Sequence, residues 1–499
     1  MKPLSSSASI HIKDLHQLKH VHIIGVGGTL MGNFASFLKS QGIRVTGSDL
    51  KIYPPMCDVL KAADVEIFEG YSARDFFSTV DLIVVGNVIR KDNPEAQAAL
   101  ASERPCVSLP EFMEYFWLEK RKNIVIAGTH GKTTTTSLMI HVLKNAGVKP
   151  SYFVGGVAPQ VPKSFHVDEG ELFVLEGDEY DTVFWDKVPK FFHYCPNDVI
   201  LTSIEFDHAD IYNSLEDVKN AFRGLLRRIR SNSAQNDSHE GHLIAYAESE
   251  NIQELLKENI FKGSVITYGL KDSTANLKAD YQVELKDEPG RYVFYKGDSK
   301  LTEIQMQLFG RHNALNALSV YLEYKYNLQL DEDKILEGLR TFKGVKRRLE
   351  MVANVNDIQV LDDFAHHPTA VKETLFALKQ KYPTSRLLIA FEPRSATSRR
   401  KIFQKEYAQV FEEGLRPEDR LWLAKPYDQS LISEENRFST DELVNSLRNK
   451  NINVSIIQSI QQTAQDIAAF AEPGDVIAFL SNGSFDGLMP LVVEKLSGR

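Results

Sequence analysis

The stretch Lys122–Gly147, KNIVIAGTHGKTTTTSLMIHVLKNAG, decides the fold. Ile124–Ala127 is an apolar run that reads as a strand. A glycine loop from Gly128 follows and opens a helix, with Gly147 at its end as a stop signal. Glycines in such a loop let backbone N–H groups turn toward phosphate oxygens, and the helix N-terminus adds partial positive charge. Gly128, Thr129, His130, Gly131, Lys132, Thr133 and Thr134 are therefore the candidate nucleotide cradle. Lys132 is placed to reach β- and γ-phosphates, and the hydroxyl of Thr133 or Thr134 to hold Mg²⁺. Ile126 stands where the usual pattern has its first glycine, so this is a shortened G-x-x-G-K-T form. The plain alternative is a structural turn with an exposed lysine. The strand before, the helix after and the run of threonines outweigh it.

The same rhythm extends in both directions. Upstream, HVHIIGVGG, a helical pattern over Phe34–Gln41, IRVTGSD and VDLIVVGN read as βαβ units of a parallel sheet. Downstream, ELFVLEGDE and DVILTSIE continue the central set, and Ser231–Gly241 reads as a polar loop. ADYQVELKDEPGRYVFYKGDSKL predicts antiparallel strands with a turn at Pro289-Gly290, and FGRHNALNALSVYLEYKY a capped amphipathic helix. After Phe342 the alternation restarts in IQVLDDFAHHP, RLLIAFEPR, DRLWLAKP and DVIAFLSNG. The chain of 499 residues exceeds one core. It is read as an α/β protein of three domains, 1–117, 118–342 and 343–499.

Composition narrows the function. Hydrophobic residues at 43% and charged residues at 25% are ordinary for a globular protein. A net charge of −9 argues against sequence-independent nucleic-acid binding. No apolar run is long enough for a membrane span, and the N-terminal segment lacks the apolar core of a secretion signal. Cys57, Cys106 and Cys195 are scattered, with no metal spacing and no disulfide framework. A cytoplasmic location is expected. Oligomeric state, monomer or dimer, stays open.

Two acidic clusters follow strands of the central set, where ligands of open α/β sheets bind. In Leu175-Glu176-Gly177-Asp178-Glu179-Tyr180-Asp181, Glu176 comes first after the strand and is the leading Mg²⁺ candidate. In Ile204-Glu205-Phe206-Asp207-His208-Ala209-Asp210, His208 is a candidate second-metal ligand or carboxylate partner. Near the N-terminus, Gly25, Gly27, Gly28 and Gly32 precede Asp49. Their spacing, G-x-G-G-x-x-x-G, departs from the NAD fingerprint.

AGTHGKTTTT, LEGDEYD, IEFDHAD, FGRHNALNA, GVKRRLE and LDDFAHHP occur in that order, and together the sequence resembles the Mur ligases over nearly its whole length. The resemblance implies Rossmann-like first and third domains around a phosphate-loop centre. It implies ATP and Mg²⁺ as cofactors, and activation of a carboxylate as an acyl phosphate that an amine then attacks. By the same resemblance, Gly25, Gly27, Gly28, Gly32, Asp49 and Asn87, with Asn93 nearby, hold a UDP-sugar. His312 and Asn313 lie beside adenine, Arg347 meets the ATP phosphates and Asp362 approaches the ribose. Lys132, Glu176, His208 and Arg347 form the catalytic set, and His366, Arg394 and Ser395 lie on the amine side, with His366 and His367 at a domain interface. Within the family, EGDEYDTVFWDKVPKFFHYCPNDVIL and AFEPRSATSRR resemble the murein-recycling branch. That branch joins UDP-N-acetylmuramate to the tripeptide L-alanyl-γ-D-glutamyl-meso-diaminopimelate. The L-alanine-adding branch, the alternative, typically has serine where Tyr180 stands. A phosphate-loop kinase or ATPase is the reading from another class. Several members carry a carbamylated lysine beyond the histidine matched by His208. Here that place falls at Phe222-Arg223, with Lys219 out of phase, so no carbamate is expected.

Overall fold

The computed structural model describes residues 12, 14–54, 56–230, 241–275 and 277–498. The predicted loop Ser231–Gly241 therefore lies, apart from Gly241, outside the described residues, as does most of the N-terminal segment. Three separate larger sheets carry the chain. In the first, His20–Ile24 is central, flanked by Arg44–Asp49 and Leu82–Val85, with Glu66–Glu69 and Cys106–Ser108 at the edges, all parallel. In the second, of ten strands, Lys122–Ala127 lies between Leu172–Gly177 and Asp198–Leu201, parallel to both. Tyr281–Leu285, Arg291–Lys296 and Ser299–Gln305 extend it as an antiparallel ribbon. Gly290 has φ +84°, which the turn beside Pro289 requires. In the third sheet, Ile358–Asp363, Val476–Leu480, Leu387–Phe391, Arg420–Leu423 and Val454–Ile456 are parallel neighbours in that order, and Glu350–Val355 closes one edge antiparallel.

Arg311–Leu322 corrects one expectation. Its N-cap, Gly310, makes no side-chain cap bond. The helix is buried on nearly every side, through Asn313, Asn316, Ser319 and Tyr321 as well as its aliphatic residues. It is a core helix, not an amphipathic surface one, because it fills the space between the central sheet and the helices packed on it.

The sheets are joined in two different ways. An apolar cluster runs unbroken from the first to the second, with Phe34 and Trp117 packed against Phe165 at ring-centroid distances of 5.4 and 5.7 Å. The third meets the second through polar contacts, Thr369 Oγ1 to Glu205 (2.6 Å), Arg311 to Glu373 (2.7 Å), Arg400 to the Ala209 carbonyl (2.9 Å) and Thr397 to Asp207, and through Phe206 stacked on Phe403 (ring centroids 6.2 Å apart). Polar interfaces reopen at lower cost than continuous cores.

One ionic contact reinforces the fixed joint. His193 sits between Glu114 of the helix Leu109–Phe116 (2.6 Å) and Asp186 of the strand Asp186–Pro189 (2.7 Å). Burial pulls its pKa down, but the two carboxylates outweigh that and hold it up at about 9, against 6.5. A raised folded-state pKa means the stabilisation is whole below pH 6.5 and is lost as pH rises through about 9. His193→Gln leaves two carboxylates facing each other. It is expected to destabilise at pH 7 by on the order of 2 kcal/mol, with the deficit shrinking above pH 9. Thermal unfolding of both proteins across pH 6–10 checks this. A pH-independent deficit contradicts it.

Candidate active site

The carboxyl ends of the central parallel strands converge on one cleft of about 390 Å³. Lys122–Ala127 empties into the loop Gly128–Gly131, and the helix Lys132–Asn145 follows. Gly128 has φ +139°, and a Cβ there would lie 2.2 Å from Thr202 Oγ1, so no side chain fits. Gly131, at φ +82°, starts the helix with no side-chain cap. The first-turn N–H groups, which have no acceptor within a helix, are thus left to the cleft as an anion cradle.

Lys132 Nζ donates to the Gly128 carbonyl (2.6 Å) and to both oxygens of Glu179 (2.8 and 3.2 Å). Burial opposes its charge, but Glu179 and Asp178 outweigh that and raise its pKa. Thr133 Oγ1 donates to Glu176 (2.7 Å), whose other oxygen accepts from Gly155 N–H (2.6 Å). Burial first, then Asp178, pushes Glu176 upward. A divalent cation would relieve both effects. A hydroxyl and a carboxylate side by side next to an anion cradle are the hard oxygen set that Mg²⁺ takes, so these residues fit that ion. Thr134 also lines the cleft. His208 also lines the cleft, 3.3 Å from Glu179, and its pKa is raised because Glu179 and Asp207 outweigh burial. Glu179, which holds both Lys132 and His208, was not singled out from sequence. Its signal was its place in the acidic run.

His312, Asn313 and Asn316 come from the buried helix. Asn313 Nδ2 donates to His312 Nε2 (2.9 Å) and to the Phe309 carbonyl (2.8 Å). Burial, aided by Arg348 and Arg311, holds His312 down at about 4, and its Nδ1 is buried without a partner. Asn316 Nδ2 is likewise unpartnered, and its Oδ1 lies 3.0 Å from where a Cβ of Gly131 would be. Sequence reading passed over Asn316, although it is the second asparagine of H-N-x-x-N.

The third unit corrects two expectations by one residue each. Arg347 and Asp362 do not line the cleft. They pair with each other (3.0 Å), and Arg347 Nη2 donates to the carbonyls of Ser481 (2.7 Å) and Gly483 (2.5 Å). Arg348 and Asp363 line it instead. Arg347 has φ +59°, which turns its side chain away, and along a strand neighbouring residues face opposite sides. His366 lines the cleft, its Nδ1–H donating to the Phe364 carbonyl (2.9 Å). Arg394 lies over the Tyr427 ring (3.9 Å) and pairs with Glu392 (3.2 Å), and a Cβ on Gly483 would come within 2.2 Å of its Cδ. Ser395 Oγ accepts from Ser398 N–H (2.9 Å). Neither lines the 390 Å³ cavity. Thr397 of the same loop reaches Asp207, which does line it.

In the first sheet the glycine turn and Asp49 meet. Gly27 N–H donates to Asp49 Oδ2 (2.8 Å), and Asp49 Oδ1 accepts from Tyr71 (3.0 Å) and Leu50 N–H (2.8 Å). Gly25 has φ +86°, and Gly28 precedes the helix Thr29–Ser40 with open space around it. A Cβ at Gly32 would lie 2.1 Å from Met56 Sδ. Asn87 is exposed at the end of the strand Leu82–Val85, beside the crevice where the strand order reverses. Asn93, expected near this pocket, instead caps the helix Pro94–Ala101 by accepting from Glu95 and Ala96 N–H (3.0 Å each). Lys219 pairs with Glu254 (2.8 Å) and Glu216 (2.9 Å) and does not line the cleft.

A phosphate cradle, an oxygen-rich cation set and a third unit bearing on both define a nucleotide-dependent group-transfer site. Residues 20–121 match the Mur ligase family, catalytic domain, 126–322 the Mur ligase middle domain, and 347–483 the Mur ligase, glutamate ligase domain. The chain belongs to the Mur ligase family, whose members are ATP-dependent ligases forming C–N bonds. It is 32% identical over 485 residues to the UDP-N-acetylmuramate–L-alanyl-gamma-D-glutamyl-meso-2,6-diaminoheptandioate ligase of Escherichia coli K12, covering 96% of this chain and 98% of that one. It is 34% identical over 473 residues to the UDP-N-acetylmuramate–L-alanine ligase of Clostridium tetani (94% and 96%). Among solved structures, a murein peptide ligase from Psychrobacter arcticus superimposes with a TM-score of 0.67 at 30% identity, over 96% of this chain and 99% of that one.

Proposed function

We propose that the chain joins UDP-N-acetylmuramate to the tripeptide L-alanyl-γ-D-glutamyl-meso-diaminopimelate, consuming ATP and releasing ADP and phosphate, in cytoplasmic reuse of murein peptides. The observation that carries this reading is the convergence of Lys132, Thr133 and Glu176 with Arg348 and His366 on one cleft, next to a loop whose Arg394 offers a planar cation for a peptide carboxylate. No helix among the described residues is long and apolar enough to cross a membrane. The division at 117 and 342 is retained as part of the proposal.

The lactyl carboxylate of the sugar attacks the γ-phosphorus of ATP, and ADP leaves. The resulting acyl phosphate is attacked by the neutral amine of the peptide, and phosphate departs with one former carboxylate oxygen. Transfer of this kind is accelerated chiefly by positioning and charge. Lys132 and Arg348 clamp the phosphoryl oxygens, and the helix N-terminus at Gly131 orients them. Mg²⁺, held by Thr133 and Glu176, supplies further charge neutralisation when bound. Closure of the third unit excludes water from the acyl phosphate.

Acceptor choice tests the assignment. With ATP and UDP-N-acetylmuramate, the tripeptide is expected to exceed L-alanine in kcat/KM by about 100-fold or more. Arg394→Ala is expected to remove most of that preference while leaving ATP binding intact. L-alanine used as well as tripeptide returns the chain to the alanine-adding branch.

A further inference from the structure

We propose that His130, Glu205 and His367 form a binding site for a divalent transition-metal ion of the Zn²⁺ class, joining the phosphate loop to the third unit. Glu205 Oε2 lies 3.3 Å from His130 Nε2 and 3.4 Å from His367 Nδ1, and all three ligand atoms fall within 4.8 Å of one another. A tetrahedral ion with bonds of about 2.0–2.1 Å needs neighbouring ligand atoms about 3.3–3.4 Å apart. Those two separations are already present.

The donor set selects the ion. Two imidazoles and one carboxylate suit zinc and its neighbours, whereas Mg²⁺ prefers the all-oxygen pair Thr133 and Glu176. Thr369 Oγ1 donates to Glu205 Oε2 (2.6 Å) and fixes its orientation, as an outer partner of a ligand does. The rings of His130 and His367 are 4.8 Å apart, each turned toward the shared carboxylate. His130 and Thr369 line the cleft, so a fourth ligand, water, can reach the ion from there.

The three ligands come from distant parts of the chain. His130 lies in the phosphate loop, Glu205 after the strand Asp198–Leu201, and His367 at the start of the helix Pro368–Lys381. The set is complete only while the third unit is docked. An ion here would hold that unit shut over the cleft, and so slow the reopening that turnover requires.

Co²⁺ is the probe, because a tetrahedral nitrogen–oxygen site gives it intense visible absorption. The full-length protein is titrated with Co²⁺ in excess Mg²⁺ and without nucleotide, so the outcome is independent of the proposed reaction. The expected result is one saturable Co²⁺ with a tetrahedral spectrum. Affinity should fall about tenfold or more in Glu205→Gln and in His130→Asn, and stay unchanged in Glu176→Gln. His130→Asn, a partly exposed loop position, keeps the test valid if Glu205→Gln fails to fold. Absence of saturable tetrahedral binding overturns the proposal, and so does binding that survives both variants. In the latter case Glu205 is only a hydrogen-bond acceptor between the units.

Discussion

Lys132→Ala is expected to lower the ligation rate about 1,000-fold or more while leaving UDP-sugar affinity near that of the parent. The lysine supplies the compact charge closest to the cradle formed by Gly128 and Gly131. Its Nζ is held by the Gly128 carbonyl and Glu179, so it is aimed before any ligand arrives. A preorganised charge in a site shielded from water is worth far more than a mobile one at the surface. The glycine turn proposed for the sugar nucleotide is on another sheet, tied through Gly27 and Asp49. Lys132→Arg is expected to rescue little, because a planar fork cannot replace a point charge in this buried position. Glu179 keeps His208 as a partner in the alanine variant, so the fold should survive. Turnover within about tenfold of the parent would remove Lys132 from the phosphoryl-transfer step.

The second large effect separates neighbouring arginines. Arg348→Ala is expected to reduce kcat about 100- to 1,000-fold with little change in thermal stability. Arg348 lines the cleft, its guanidinium 5.2 Å from the Phe364 ring, and its charge bears on His312 and Asp363. Arg347→Ala is expected to do the reverse. It removes a donor from Asp362 and from the carbonyls of Ser481 and Gly483, costing about 1–3 kcal/mol of stability. Its kcat should fall much less. Kinetics and thermal unfolding on the two variants decide it. A stability loss confined to Arg348→Ala with a rate loss confined to Arg347→Ala would reverse the assignment.

That pair also marks how far the sequence can be read. The phosphate loop was legible because its strand, glycines, lysine and hydroxyls are consecutive, so their geometry follows from local backbone rules. Glu176, read as the first residue after a strand, lies one residue inside the end of Leu172–Gly177 and faces the cleft from the same sheet. Arg347 against Arg348 was not, since a residue at φ +59° decides which of the two faces the cleft, and no periodicity announces that. Asp362 and Asp363 differ by the same alternation. Glu205 acquires its meaning only when Thr369 and His367, far along the chain, fold against it. The helix Arg311–Leu322 looked amphipathic because its asparagines and serine are polar, yet they are buried as site and core residues. Asn93 was drawn toward a ligand by its neighbourhood in sequence, while its side chain answers a nearer need, the open N–H groups of the next helix.

In the proposed reaction the cleft activates a carboxylate by phosphorylation before an amine attacks it. The direct measurement uses UDP-N-acetylmuramate labelled with ¹⁸O in its lactyl carboxylate, with ATP and tripeptide, and weighs the phosphate released. The account predicts a single ¹⁸O atom in each phosphate and none in ADP. Unlabelled phosphate alongside peptide-dependent ATP consumption would mean that water takes the γ-phosphoryl group, and the chain would be an ATPase in which no acyl phosphate forms.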